Sequence, residues 1–468
     1  MDPALGWSEK LSVQVGGAGT VAGAGVVLPR LLADRVGLCT ELAAVLARAG
    51  FVPLRHRGRA LVDAACSLAA GATCLSDIEA MTAQEEIFGA GGGASDTTML
   101  RVLDELAGRL RADGLPGRRL ARATASARAK AWAAVVDRHG QLPAVQVAGK
   151  DLTRPAADSA VDSAAPPRPV VVIRLDATLL EAASAKDQAA GTYKQGFGFH
   201  PLTAWCTNIG DHLAVQLRPG NAGSFTASDH IAVLDAAIAQ IPAEWRSDVL
   251  VTIDGAGASH EIIDHLTAMN TAPAHGKRGR RVEYSIGWPV DERTLAAIGV
   301  LRGPGRDRLS TWPPDLRVFA RRVPRPAGKP AKLGEDADWE YGAFATNTTA
   351  GQAQWLDARH RTQAHVEDRV KQFKACGARN LPSIDYDRNA AWLQLAALAT
   401  SLTAWLRHLA LDGDLARAST KTLRFRLLAA PARLVTHARR KILKVPPGWA
   451  WAADLATAWN RLQALHPV

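Results

Sequence analysis

An α/β core carrying a β-rich insertion, with helical regions on either side, is the fold class that three features of the sequence predict. Apolar residues recur at helical spacing from Val26 to about Trp132, but the pattern changes after residue 169 to the continuous β-branched run VVVIRLDATLL. Strand-like and helix-like segments then alternate as far as Ile286, and from Ala390 to the end the helical pattern returns. A chain of 468 residues fits about two to four folding units. With 47% hydrophobic and 22% charged residues it has ample apolar surface to bury, which excludes wholesale disorder.

Residues 1–150 read as a helical domain. LLADRVGLCTELAAVLARAG and GRALVDAACSLAAGA have helical periodicity, and Ser95-Asp96 ahead of TTMLRVLDELAGRL is a polar cap followed by an apolar face of Met99, Leu100, Leu103 and Leu106. With the helices before it, this segment suits a helix-turn-helix. Residues 151–169, rich in Ala, Pro, Asp and Ser, cannot build a core and read as a linker.

Within 170–288 the first strand is followed by HPLTAWCTNI and HLAVQLRP, separated by the turn signal Gly210-Asp211. A helix over Asp229–Ile241, a strand over Asp248–Ile253, a helix over His260–Met269 and a strand over Val282–Ile286 follow. Three strands, helix, strand, helix, strand is the order of an RNase H-like core, which needs one closing helix. That helix is delayed. Residues 289–351 are rich in Pro and Arg and hold two candidate strands, LRVFARRV and WEYGAFATN, so they read as an inserted β-rich subdomain. The closing helix is expected in 352–386, and a C-terminal helical region in 387–468. The most apolar run, Ala390–Leu406, is broken by Gln394 and Ser401 and followed by Arg407 and His408. A span needs about 20 apolar residues, so a buried helix is expected and no membrane partner.

Lys and Arg outnumber Asp and Glu by 56 to 45, a net charge of +11 that favours a polyanionic partner, nucleic acid above all. Arg101–Lys130 holds eight basic residues against three acidic, and Lys421–Lys444 holds eight and no acid. Each run is either a solvated helix face or a contact to DNA phosphates. Cys39, Cys66, Cys74, Cys206 and Cys376 are odd in number and contain no C-x-x-C, which points away from a disulfide framework or zinc knuckle. The N-terminal MDPALGWSEKLSVQV does not read as a secretory signal, and a cytoplasmic location is expected.

Asp176 lies in a buried-strand pattern, where a carboxylate is costly unless it meets a cation or a donor. Asp254 repeats the arrangement at the end of DVLVTIDGAGAS, with Gly255 and Gly257 allowing close approach of a ligand. In the expected topology these strands are parallel neighbours, so the two acids converge. The third acid belongs on the closing helix of QWLDARHRTQAHVEDRVKQFKAC. Helical spacing puts Gln363, Glu367, Lys371 and Lys374 on one face, which makes Glu367 the best candidate, with Asp357 and Asp368 as rivals. Three carboxylates suit a pair of hard divalent cations that activate an attacking oxygen and stabilise a leaving oxygen at phosphorus, with no organic cofactor.

IRLDATLL, YKQGFGFHPLTAWC, LRPGNAGSFTASDHI, IDGAGASH, YGAFATN and HRTQAHVEDRVK resemble the DDE transposases of bacterial insertion sequences, and more narrowly the insertion-sequence family numbered 1380. The resemblance covers essentially the whole chain. It implies an RNase H-like catalytic core, Mg²⁺ or Mn²⁺ dependence with two ions per site, and Asp176, Asp254 and Glu367 as catalytic carboxylates. It also implies cut-and-paste transposition: the N-terminal domain binds the terminal inverted repeats, and the chain self-associates on double-stranded DNA at element ends and target. Of the Y-x2-R-x3-E-x6-K signature of related transposases, Glu367 and Lys374 are kept, whereas His360 and Gln363 stand in place of Tyr and Arg.

Lys374 is expected beside a phosphate. Lys194, next to Tyr193 in a glycine-rich block, suits an unpaired DNA end or simple hairpin packing. Arg321 and Arg322 in the insertion, and Lys421, Arg424 and Arg426 near the C-terminus, are further candidate phosphate contacts. Trp312 and Trp339 suit either stacking on a displaced base or core packing. The alternative functions are a metal-dependent nuclease without strand transfer and a DNA-binding regulator whose catalysis has decayed; three intact acids disfavour the second.

Three rival motifs are weak. Gly17-x-Gly19-x-x-Ala22 has no second β-α-β unit behind it. His260-Glu261 has its second histidine, His265, one place late for a zinc-protease helix. Gly257-Ala258-Ser259 lacks the second glycine of a hydrolase elbow.

Overall fold

The helical periodicity of the first third becomes α1 (Val27–Arg35), α2 (Leu38–Leu46), α3 (Arg57–Ala70), α4 (Leu75–Thr82), α5 (Asp96–Asp113) and α6 (Arg118–His139) in a computed structural model. The described residues are 12, 14–114, 117–147, 149–154, 169–223, 226–273, 279–300, 316–326, 328 and 338–465. Ser95 caps α5 as its sequence requires, its side chain accepting from the Thr98 amide. Most of the expected linker, and Trp312, lie outside the described residues.

The core sheet begins with β1 (Val171–Ala177), β2 (Leu202–Cys206) and β3 (Asp211–Gln216), followed by α7 (Ala227–Gln240), β4 (Asp248–Ile253), α8 (His260–Ala268) and β5 (Arg281–Trp288). The strands lie in the order β3-β2-β1-β4-β5, with β1, β4 and β5 parallel and β2 antiparallel to both its neighbours. This is the RNase H-like order read from the sequence. Gly210, with φ 71°, makes the left-handed turn between β2 and β3.

The two candidate strands of residues 289–351 join the core sheet. These strands, β6 (Arg317–Pro324) and β7 (Trp339–Thr346), do not form a layer of their own. β7 pairs antiparallel with β5, from Ser285 opposite Thr346 to Trp288 opposite Ala343, and β6 pairs with β7, so both extend the core sheet. The physical reason is the apolar end of β7: Ala343, Phe344 and Ala345 are buried there, and β5 would otherwise present an open edge.

The closing helix runs through α9 (Ala353–Arg361), a 3₁₀ turn at Thr362–His365 and α10 (Val366–Phe373) into a wide turn at Lys374–Ala378, where Gly377 has φ 98°. The apolar run Ala390–Leu406 lies within α11 (Tyr386–Ala410), whose side chains are buried along almost its whole length. It packs on α1, α3, α5, α6 and β3, and on α12 (Ala452–Ala464). One apolar cluster therefore runs from Val26 to Leu462, and the regions 1–150 and 387–468 share a core instead of standing apart. Among the described residues no single helix is long and apolar enough to cross a membrane.

The C-terminal region is also not wholly helical, as had been expected. β8 (Ala432–His437) and β9 (Arg440–Lys444) form an antiparallel ribbon, and the short strand Thr20–Val21 pairs with the start of β8. The alternation in ARLVTH and RKILK explains this, because it places Leu434 and Leu443 together against Val21, Ala24 and Ala432.

Candidate active site

Asp176 is the penultimate residue of β1, and Asp254 directly follows β4. The parallel register pairs Ile253 with Leu175, so the next residues, Asp254 and Asp176, project from neighbouring strands on one face, with backbones about 4.8 Å apart. Burial raises the Asp176 carboxyl, and the charges of Asp254 and Glu367 raise it further against the opposing Lys374, to about 7. Both other sequence-predicted acids thus act on Asp176. Among the described residues, no three His, Cys, Asp or Glu side chains are gathered closely enough to hold a metal ion. Asp357 instead pairs with Arg321 at 3.4 Å, and Asp368 accepts from Gln372. Neither rival is among the charges acting on Asp176.

Gln363, four residues before Glu367, explains how the helix is aimed. Its Nε2 donates to the Leu175 carbonyl at 2.9 Å, and its Oε1 accepts from Thr252. One amide thus locks the helix to both acid-bearing strands. The buried Arg174 adds a second lock by donating to Thr362 at 2.7 Å and Thr207 at 2.8 Å. His360 stacks on Phe344 at 4.6 Å and its Nδ1 lies 2.9 Å from the Ser285 hydroxyl, so it too is a packing residue. The close approach of β5 to the Asp254 loop depends on Gly287: a Cβ there would lie 2.5 Å from the Gly255 nitrogen.

Lys374 donates to the Leu179 carbonyl at 2.9 Å and lies within the field of both Asp176 and Lys194. Lys194 sits over Tyr193, itself exposed, beside the small sheet of Leu180–Glu181, Ala190–Gly191 and Phe197–Phe199. Two residues were missed by sequence reasoning. His200 and His230 are buried, feel the charge of Asp254, and donate through Nδ1 to the carbonyls of Ala222 and Thr226, which leaves Nε2 uncommitted by those bonds. Their signal was their place in the blocks GFGFHP and ASDHI.

The other candidate cations are dispersed. Arg322 lies over Trp339 at 4.6 Å, and Arg426 over Trp451 at 5.2 Å. Lys421 is exposed. Arg424 is corrected: it turns inward and donates to the carbonyls of Ala69 and Ala375, tying the C-terminal region to the end of α3, so its donors are not directed at a phosphate. The zinc-like histidines are also accounted for, since His265 pairs with Asp235 at 2.8 Å and His260 packs edge-on to Trp288.

A sheet of this order, with acids at the carboxyl ends of its central strands, is the frame of a DDE transposase. The chain belongs to the family described as transposase DDE domain group 1, which it matches over residues 4–467. No curated protein matches it. Among solved structures, the chain is similar to that of a piggyBac transposase synaptic complex with hairpin DNA, with 9% identity, a TM-score of 0.43, and coverage of 87% of this chain and 80% of that one.

Proposed function

We propose that this transposase binds the terminal inverted repeats of its element and moves it by cut-and-paste, with Asp176, Asp254 and Glu367 as catalytic carboxylates. The coupling of Asp176 to both other acids supports this reading. The chemistry of the donors suits the expected metal, since carboxylate oxygens are hard ligands for Mg²⁺ or Mn²⁺ and a cation would relieve the like charges that raise Asp176, although the described side chains are not themselves gathered closely enough to hold one. Two such ions, held by Asp176, Asp254 and Glu367, would supply Lewis-acid stabilisation of the attacking and leaving oxygens.

The chain's own residues do the rest. Asp176 and Asp254 hold the site from the sheet and Glu367 from the helix. Lys374 offers a cation to the adjoining phosphate, while Lys194, Arg321, Arg322, Lys421 and Arg426 contact backbone farther out. Strand hydrolysis and attack by the freed 3′-hydroxyl are both in-line displacements, so one site serves one end. Two chains assembled on two ends raise the effective concentration of each end for the other. The setting is a bacterial cytoplasm and an element of the insertion-sequence family numbered 1380.

The test is incubation of the full-length protein with Mg²⁺ and marked DNA carrying candidate ends, followed by sequencing of joined products. Asp176→Asn, Asp254→Asn and Glu367→Gln should each abolish cleavage and retain end binding. Cleavage without joined products would reduce the function to a nuclease. Loss in Asp368→Asn with activity retained in Glu367→Gln would reassign the third acid.

A further inference from the structure

We infer that the β8–β9 ribbon is a DNA-reading element that enters the major groove of duplex DNA. This rests on the proposal that the chain acts on DNA, and it adds a contact surface that the helical reading of Lys421–Lys444 did not contain.

The two faces of the ribbon differ. On one, Leu434 and Leu443 are opposite each other and pack on Val21 and Ala24, with Thr20–Val21 pairing along the base. On the other, the cross-strand pairs are Arg433 with Lys444, Val435 with Ile442, and His437 with Arg440. Arg433, Lys444, His437, Arg440 and Ile442 are all exposed. Like charges directly opposite one another destabilise a sheet. The segment itself offers no offsetting acid: the sequence has no Asp or Glu between Asp414 and Asp454, and among the described residues Arg433, Arg439, Arg440, Lys441 and Lys444 form no ion pair. A surface built this way is complementary to a polyanion.

The shape selects duplex DNA. A two-stranded ribbon fits the major groove, about 12 Å wide, and the base pair Arg433/Lys444 is separated from the tip pair His437/Arg440 by four residues, about 14 Å along a strand. Cations therefore stand at both ends of the face, with Val435 and Ile442 between them for base edges. Ala438 and Arg439 have φ 47° and 63°, left-handed values at both turn positions, where Asn-Gly is the favoured pair. The chain keeps a basic side chain at a position where glycine would be less strained.

The closing experiment uses the full-length protein with Ca²⁺ and a 40-base-pair duplex, reading anisotropy against salt. The variant Arg433→Gln/Arg440→Gln/Lys444→Gln should bind at least tenfold more weakly, with a salt slope reduced by about 2 to 3, near 0.9 for each lost phosphate contact. Arg439→Gly should keep or raise the Tm, because it relaxes the turn, and still weaken binding, a combination that a merely structural role would not give. Guanine N7 methylation should interfere with wild-type binding at ribbon-dependent positions that are silent in the triple variant. If wild type binds duplex and the triple variant binds equally with the same slope, the ribbon proposal is wrong and the DNA reading stands. If wild type binds no duplex, both fall; interference confined to the minor groove overturns the groove assignment.

Discussion

Arg128 on α6 and Asp211 at the start of β3 form an ion pair at 2.8 Å in which both side chains are sealed from solvent. Trp132 of α6 and Trp405 of α11 donate to the same Asp211 oxygen at 2.9 and 3.0 Å. One carboxylate thus joins the N-terminal helices, the sheet and the C-terminal helix. Burial alone raises such an acid, but the Arg128 charge and hydrogen bonds outweigh it and hold Asp211 below the usual carboxylate range. Arg128→Met should strip that compensation and cost about 3–5 kcal/mol, and Arg128→Met/Asp211→Asn should recover part of the loss. Chemical denaturation measures both; an additive double variant would show that the pair is not coupled.

Acid should loosen the core through its buried histidines. Burial pushes His212 down to about 3, and His360 and His408 down to about 4. The unfolded chain takes up these protons near pH 6.5, so their contribution is complete above that value and is lost as the pH falls toward 4. His212 lies against Trp205 and Phe373, and neither ring nitrogen has a hydrogen-bond partner among the described residues. His212→Phe should therefore fold and remove roughly 2 kcal/mol of the stability lost between pH 7 and 5. Urea midpoints at the two pH values decide it.

Gly287→Ala forces a methyl against the Asp254–Gly255 backbone. Moving an acid by a fraction of an ångström should lower cleavage on the order of 10²-fold, with duplex binding unchanged. A variant as active as wild type would mean that the loop gives way freely.

Gln363→Leu removes the amide that fastens the closing helix to Leu175 and Thr252. The buried carbonyl left behind should cost about 1–3 kcal/mol, and cleavage should fall further than stability alone explains, because Glu367 loses its aim. Equal losses in the two measurements would make Gln363 structural only.

Two neighbouring cations should separate cleanly. Arg424→Ala should lower the Tm, since Ala69 and Ala375 lose a donor, while leaving the salt slope of DNA binding unchanged. Lys421→Ala should do the reverse, lowering that slope by about 1.

The sheet order was legible because each core strand carries a continuous apolar run and each intervening helix a 3.6-residue period, as in DVLVTI and DHIAVLDAAIAQI. The placing of Asp176 and Asp254 on neighbouring parallel strands followed from that order, and that of Glu367 on the closing helix from helical spacing. β7 was readable as a strand but not as a neighbour of β5, because pairing between residues so far apart leaves no local trace. The ribbon was hidden for another reason: a two-residue turn of Ala438 and Arg439 carries none of the Asn or Gly that marks a left-handed turn. Arg424 shows that a basic run does not say which way each side chain faces. His200 and His230 lacked any spacing motif, and only the folded sheet brings them to Asp254.

α11 is made late. Its neighbours α1, α3, α5, α6 and β3 all leave the ribosome before Tyr386 is synthesised, with the apolar faces that it covers still open. Early parts of the chain therefore wait, unsealed, for a segment near the end of translation, and sequence separation of that size slows folding and lengthens exposure to aggregation. A message cut short before residue 386 leaves that trough uncovered, so premature termination yields material for chaperones and proteases instead of a free-standing DNA-binding fragment that competes with the full-length protein.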